Sequence, residues 1–289
     1  MFHGSIVAIV TPLKDGALDE VSLRRLLKMH GNAGTSGVVP VGCTGEAATL
    51  SFEERTRVVE ICLEEVGGRM PVIPGTGTNS TRESIRLTEA ARRAGASGVL
   101  IITPYYNRPT PRGLVEHYRA IAEAVDIPII LYNVPSRTGV NMLPETVARL
   151  AEIGNIVAIK EASGSVDQVS AILDLCDITV LSGDDPLTLP MMAVGAKGVV
   201  SVAANVVPKL VAEMVAEFPR SWDGALRLHR QLWPVAKALF LETNPGPVKH
   251  AMAELGLIAS GELRPPLAEV TEETKRKMAA GIALMRAAA

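Results

Sequence analysis

A chain of 289 residues, 47% hydrophobic and 21% charged, is long enough to bury a sizeable core in one large domain or a domain with an appendage. Its 29 basic and 31 acidic residues nearly cancel, for a formal charge of −2, so no cationic surplus draws in nucleic acid or an anionic membrane. Aromatic residues make up only 3%, which leaves the core to aliphatic side chains and makes the grouping of Tyr105, Tyr106 and Tyr132 worth following.

The first apolar run, at 5–10, has no basic lead and ends in Thr11-Pro12; it is expected to be a strand and not a signal peptide. Further short runs rich in Val and Ile follow at 37–41, 72–74, 98–102, 128–132, 156–160, 179–181 and 198–202. None alternates apolar with polar residues, the pattern of strands buried on both faces of a parallel sheet. Helical signals lie between them. Ser51 and Glu54 form a capping-box pattern ahead of the stripe Val58, Ile61, Cys62 and Val66, and Ser80 with Glu83 resembles a second box. Pro144 suits the first turn of another helix. Beyond about 218 the strands stop, and 221–241, 246–255 and 271–288 read as three successive helices.

Eight strands, each followed by a helix, predict a (β/α)8 barrel over 1–218, with an all-helical C-terminal appendage over 219–289. The competing doubly wound sheet is disfavoured, because no Gly-rich dinucleotide loop follows the first strand. No apolar run approaches the ~20 residues needed to span a bilayer. The three cysteines, Cys43, Cys62 and Cys176, form no C-x-x-C pair, and no H-E-x-x-H helix appears. A disulfide scaffold, a structural zinc site and a metalloprotease helix are therefore not expected. The expectation is a cytoplasmic protein without a metal.

In such a barrel the active site lies at the C-terminal ends of the strands. Those ends carry hydroxyls, glycines and charge. Lys160 directly follows Ile156-Val-Ala-Ile159. Desolvation at a barrel mouth disfavours its ammonium form and suits the amine to Schiff-base chemistry; a structural lysine paired with Glu161 is the alternative. Tyr132 ends another strand, as a proton relay or as a ring filling the barrel. Arg137 follows in Pro135-Ser-Arg-Thr-Gly139, where a guanidinium either grips a carboxylate or is simply solvated. Gly75-Thr-Gly-Thr-Asn79 lacks the third glycine of a dinucleotide fingerprint and the lysine of a P-loop. Asn79-Ser-Thr81 matches a glycosylation sequon, but Ser80 reads better as a helix cap. Asp184-Asp185 reads as a polar loop or helix start ahead of a metal site.

Taken together, Gly42-x-Thr44-Gly45-Glu46, Thr103-Pro-Tyr-Tyr-Asn-Arg-Pro109, Leu131-Tyr-Asn-Val-Pro-Ser-Arg-Thr-Gly139, the strand ending in Lys160 and Leu181-Ser-Gly-Asp-Asp185 resemble the dihydrodipicolinate synthase family. That family belongs to the pyruvate-dependent class I aldolases, with N-acetylneuraminate lyase. The opening Gly4-Ser-Ile-Val-Ala-Ile-Val-Thr-Pro12 also fits, so the resemblance covers nearly the whole chain. It implies that pyruvate forms an imine and then an enamine on Lys160, without a further cofactor. The enamine would attack L-aspartate 4-semialdehyde, and the adduct would cyclise, as in the diaminopimelate route to lysine. It implies further that Thr44 and nearby backbone N–H groups hold the pyruvate carboxylate, that Tyr132 shuttles protons, and that Arg137 binds the second substrate's carboxylate. Gly183 and Val200 would line the pyruvate pocket. Tyr106 would cross a dimer interface within a homotetramer built as a dimer of dimers.

The sequence departs from the family's pattern at two places. The motif commonly has two threonines before Gly-Glu, the first completing a hydroxyl relay with two tyrosines; here that position is Cys43, and a thiol is a weaker hydrogen-bonding group. Some members also bind lysine through a cluster matching Ala47, Ala48, Phe52, Arg55, Asn79, Glu83 and Tyr105. Asn79, Glu83 and Tyr105 fit that effector site, but Phe52 and Arg55 stand where lysine-sensitive members often have histidine, or an acid at the second position. A guanidinium near a cationic effector is unfavourable. Two other functions share these features: a pyruvate aldolase acting on a sugar acid or 2-oxo acid, and a non-catalytic barrel that binds a 2-oxo acid.

Overall fold

The computed structural model describes residues 2–288. Two compact units make up the chain, one built on Ile73–Val200 and the other on Gly4–Val72 with the chain from Ser201 onward.

The second of these begins with strand β1 (Gly4–Ala8), a two-stranded hairpin of β2 (Leu13–Lys14) and β3 (Ala17–Leu18), and strand β4 (Gly37–Val39). β1 and β4 pair in parallel, with Val7 opposite Val38. Asp15 and Gly16 join β2 to β3 with φ of 53° and 79°, the backbone of a two-residue hairpin turn. Ser51 caps the helix Phe52–Val66 in a complete capping box: its hydroxyl accepts from Glu54 N–H, and the Glu54 carboxylate accepts from Ser51 N–H. The later part is helical, at Pro208–Glu217, Trp222–Ala238, Gly246–Glu254 and Glu272–Ala288. The last three fall close to the bounds expected from the sequence.

The other unit holds five parallel strands, β5 (Val99–Ile102), β6 (Ile129–Asn133), β7 (Ile156–Glu161), β8 (Thr179–Ser182) and β9 (Gly198–Ser201). They lie in sequence order, each beside the next. Helices Pro111–Ala124, Pro144–Ala151, Val166–Leu175 and Thr188–Ala193 connect them. Both faces of the strands are buried; all five residues of β6 are buried. That explains the unbroken Val and Ile runs, since a strand covered on both sides has no solvent face to alternate with. Ser80 caps the helix Thr81–Ala94 as expected. Its second box is replaced, because Ser80 N–H donates to Thr78 Oγ1 and the Glu83 carboxylate accepts from Arg86.

The strand expected at 72–74 is reduced to two isolated bridges, Val72 with Val38 in one unit and Gly75 with Leu100 in the other. Pro71 and Pro74 are the cause. Each accepts at its carbonyl, from Val38 N–H at 2.9 Å and from Leu100 N–H at 3.0 Å. Neither can donate in return, and a ladder needs both. Among the described residues no helix is long and apolar enough to cross a membrane.

Candidate active site

Lys160 is only 5% exposed. It sits one residue from the end of β7, in register with Tyr132 on β6 and Leu181 on β8. Parallel register brings the two side chains together, and the Lys160 Nζ lies 4.3 Å from the centre of the Tyr132 ring. Gly183, just past β8, is required by the same lysine: a Cβ there would stand 2.9 Å from Lys160 Cε and 2.7 Å from Ala162 Cβ. The Gly183 N–H is held by Glu161 O at 2.7 Å. Val200 is buried on β9. Four of the expected residues, Lys160, Tyr132, Gly183 and Val200, thus lie on or directly after consecutive strands of one unit.

The pairing of Lys160 with Glu161 considered from the sequence is replaced by a different arrangement. Neighbouring residues on a strand point to opposite faces, and Glu161 spends its carboxylate on Ser163 N–H at 2.6 Å, Asn133 Nδ2 and Gln168 Nε2. Burial pushes its carboxyl up from the ordinary range, and these donors oppose the shift.

Two loops follow β5 and β6. Tyr106 is 89% exposed with φ of 72°, a left-handed conformation costly for a bulky residue. Beside it, Asn107 Nδ2 donates to Asn79 O at 2.8 Å and Arg108 Nε to Gly139 O at 3.1 Å. Arg137 is exposed in the short helical turn Pro135–Thr138. That turn is fixed from below: Thr103 donates to Thr138 Oγ1 at 3.2 Å, and Thr138 Oγ1 donates to Val140 O at 3.0 Å. Asp185 opens the short helical stretch Asp185–Leu187, the helix start expected of it. Asn79, Glu83 and the half-buried Tyr105 also belong to this unit.

Cys43 and Thr44 belong to the other unit, on a loop after β4. Cys43 is half-buried and Thr44 buried. Thr44 Oγ1 accepts from Asn244 Nδ2 at 3.0 Å. Val41 and Glu46 flank the pair with φ of 48° and 53°. Between them a Cβ on Gly45 would meet Val41 N at 3.0 Å. The strained turn is held by an ion pair with no exposed surface, Lys249 Nζ to Glu46 Oε1 at 2.6 Å. Lys249 also donates to Thr11 O, and Glu46 Oε2 accepts from Arg264 N–H. Sequence reasoning missed Asn244 and Lys249, and gave Glu46, part of the Gly42-x-Thr44-Gly45-Glu46 motif, no role of its own. The available signal was Lys249 itself, a charge within the otherwise apolar first turns of Gly246–Glu254. Of the expected effector residues here, Ala48 is exposed and Ala47 and Phe52 half-buried. The Arg55 guanidinium is fastened to the Ala47 carbonyl, through Nε at 3.0 Å and through Nη2.

The chain matches the model of the dihydrodipicolinate synthetase family over residues 1–284. It is 55% identical to the 4-hydroxy-tetrahydrodipicolinate synthase of Pelobacter propionicus over 97% of each chain. It is 56% identical to that of Geobacter sulfurreducens, again over 97% of each. Among solved structures, the 4-hydroxy-tetrahydrodipicolinate synthase of Methylacidiphilum fumariolicum SolV superposes with a TM-score of 0.97 at 44% identity, covering 100% of this chain and 97% of the other. The fold is thus the (β/α)8 class expected from the sequence, with helices at the C-terminus. The chain belongs to the dihydrodipicolinate synthetase family.

Proposed function

We propose that this protein is a Schiff-base-forming synthase that condenses pyruvate with L-aspartate 4-semialdehyde to give 4-hydroxy-tetrahydrodipicolinate, in the diaminopimelate route to lysine. The observation that carries this reading is the Lys160 amine, buried on β7 with its Nζ 4.3 Å from the Tyr132 ring centre. The amine attacks the ketone carbon of pyruvate and water leaves, giving an imine. Loss of a methyl proton gives the enamine, whose carbon attacks the semialdehyde carbonyl. The amino group of the adduct then attacks the imine carbon, closing the ring and releasing Lys160. The imine is the electron sink, so the reaction needs no separate cofactor. Tyr132 carries the protons and Arg137 holds the semialdehyde carboxylate. Thr44 holds the pyruvate carboxylate, and Gly183 and Val200 line the pyruvate site. The barrel of 1–218 carries the chemistry, and 219–289 supports it through Asn244 and Lys249.

Borohydride reduction in the presence of pyruvate tests the reading. The expected result is the mass of a reduced pyruvyl adduct on Lys160, and product formation when the semialdehyde is added. No adduct overturns the enzyme reading. An adduct without product from the semialdehyde moves the second substrate to another aldehyde.

The working state is a homotetramer in the cytoplasm, where both substrates are metabolic intermediates. Tyr106 supports the assembly: a phenol 89% exposed on a left-handed backbone is presented outward for a second copy to receive. Cys43 takes the relay position with a poorer group than threonine. Cys43→Thr is expected to raise kcat about threefold or more and Cys43→Val to lower it. Equal kcat in all three proteins, measured at saturating substrates, removes the relay role. Lysine is expected to inhibit weakly, because the Arg55 guanidinium sits fastened at Ala47, where a second cation is repelled. Initial rates with added lysine check this, and half-inhibition below about 1 mM overturns it.

A further inference from the structure

We propose that Glu161, Asn133, Asn141 and Gln168 are positioning residues for this reaction: one network, anchored on two buried strand ends, that fixes Lys160, Tyr132 and the loop carrying Arg137. The proposal rests on the roles given above to those three residues.

Asn133 and Glu161 directly follow Tyr132 and Lys160 and are themselves in register on β6 and β7. Both are fully buried. Asn133 Nδ2 donates to the two Glu161 carboxylate oxygens at 3.1 and 3.2 Å. This clamps β6 to β7 one residue beyond the reacting pair. The opposite faces of the same two strands present the Lys160 amine and the Tyr132 ring. Any change in strand separation or twist at Asn133–Glu161 is therefore transmitted to the 4.3 Å approach of those two groups.

The network continues into the loop after β6. Asn133 Nδ2 also donates to Asn141 Oδ1 at 2.8 Å, and Asn133 Oδ1 accepts from Met142 N–H at 2.9 Å. Gln168, on the helix Val166–Leu175, bonds Asn141 in both directions, at 2.9 and 3.1 Å. It donates further to Met142 O at 3.3 Å and to Glu161 Oε2 at 3.2 Å. Four segments are tied to one carboxylate: β6, β7, the helix behind them and the far end of the loop that carries Arg137. Ser163 N–H closes the set on Glu161 Oε1.

A purely structural role would ask only that the buried carboxylate be satisfied, and backbone donors suffice for that. Here only Ser163 N–H is a backbone donor; the others are the side chains of Asn133, on the strand that carries Tyr132, and of Gln168, which also holds Asn141 and Met142 at the far end of the Arg137 loop. Misplacement of such groups by about 1 Å costs on the order of 10²-fold in rate, so a network joining them has a kinetic signature separable from stability.

Two variants separate the arms of the network. Glu161→Gln keeps the shape but turns one acceptor into a donor facing the Asn133 and Gln168 amides. Gln168→Leu, at a half-buried position, releases the loop and takes one donor from Glu161, but leaves the Asn133–Glu161 clamp and the Ser163 N–H in place. For folded Glu161→Gln, the rate of pyruvate-dependent borohydride labelling of Lys160 and kcat are both expected to fall about tenfold or more. For Gln168→Leu, labelling is expected to stay within about twofold of the parent while KM for the semialdehyde rises about fivefold or more. If both variants keep labelling rate and semialdehyde KM within about twofold of the parent, the positioning role is wrong. If Glu161→Gln does not fold, the KM-against-labelling split in Gln168→Leu decides alone. A parent that is not labelled by pyruvate defeats the Schiff-base reading itself, a result distinct from labelled parent and unchanged variants.

Discussion

Replacing Lys160 with alanine or with arginine should lower kcat by on the order of 10⁴-fold or more, because either change removes the only step that makes a pyruvate carbon nucleophilic in the proposed mechanism. The arginine variant is the more informative. A guanidinium keeps the positive charge and much of the stem, and it can still lie over the Tyr132 ring as the lysine does at 4.3 Å. It stays protonated at any working pH, so it has no lone pair to offer a ketone. If the cation at 160 served only to attract a carboxylate, arginine would preserve activity. If the amine is the nucleophile, arginine is as inactive as alanine. Steady-state assay of the two purified variants, with thermal unfolding as the check on folding, gives the answer. More than about a tenth of parental kcat in the arginine variant would show that charge, and not an imine, carries the reaction.

Much of this site was legible because chemistry and strand ends coincide. Lys160 stands out where Ile156-Val-Ala-Ile159 gives way to charge, and a barrel strand's C-terminal end is where reacting groups belong. The same rule located Tyr132 and Gly183. The pairing of Lys160 with Glu161 was separable from sequence by strand alternation alone: adjacent residues on a buried strand cannot share a face. The strand at 72–74 read as apolar, but hydropathy does not count N–H groups, and Pro71 and Pro74 supply none. The hairpin at Leu13–Leu18 was also readable, from Asp15-Gly16 between short apolar neighbours; its strands are too short to register as a period. Lys249 was legible as a charge in an apolar stretch, but its partner was not. Lys249 lies 203 residues from Glu46 along the chain, and nothing local marks either residue as half of a pair.

Lys249 is where we expect the largest loss of stability. Lys249→Met keeps the length of the side chain but leaves the Glu46 carboxylate buried with its short ion pair gone. Breaking a buried pair from one side typically costs about 3–5 kcal/mol, and urea unfolding of the parent and variant measures it. The Thr11 carbonyl loses its donor as well. Arg264 N–H remains on Glu46 Oε2 at 3.0 Å, which keeps the loss within that range. The double variant Glu46→Leu with Lys249→Met then separates stability from function. Two apolar groups of similar volume can replace a buried ion pair at little cost or even with gain, so much of the lost stability should return. The turn from Val41 to Glu46 is another matter, because two non-glycine residues in it sit at positive φ, a strain of about 1–3 kcal/mol each. Directional contacts to the Glu46 carboxylate help hold that conformation, beside Thr11 Oγ1 on Gly45 O at 2.8 Å and Glu46 N–H on Cys43 O at 3.1 Å, and leucine offers none in their place. The double variant is therefore expected to fold yet bind pyruvate with a KM raised about tenfold or more, because Thr44 lies inside the relaxed turn. A double variant with both parental stability and parental KM would show that the ion pair is replaceable packing and that Thr44 is held without it, by Asn244 and the hydrogen bonds within the turn. A single Lys249→Met variant losing less than about 1 kcal/mol would show that the pair contributes little to the fold.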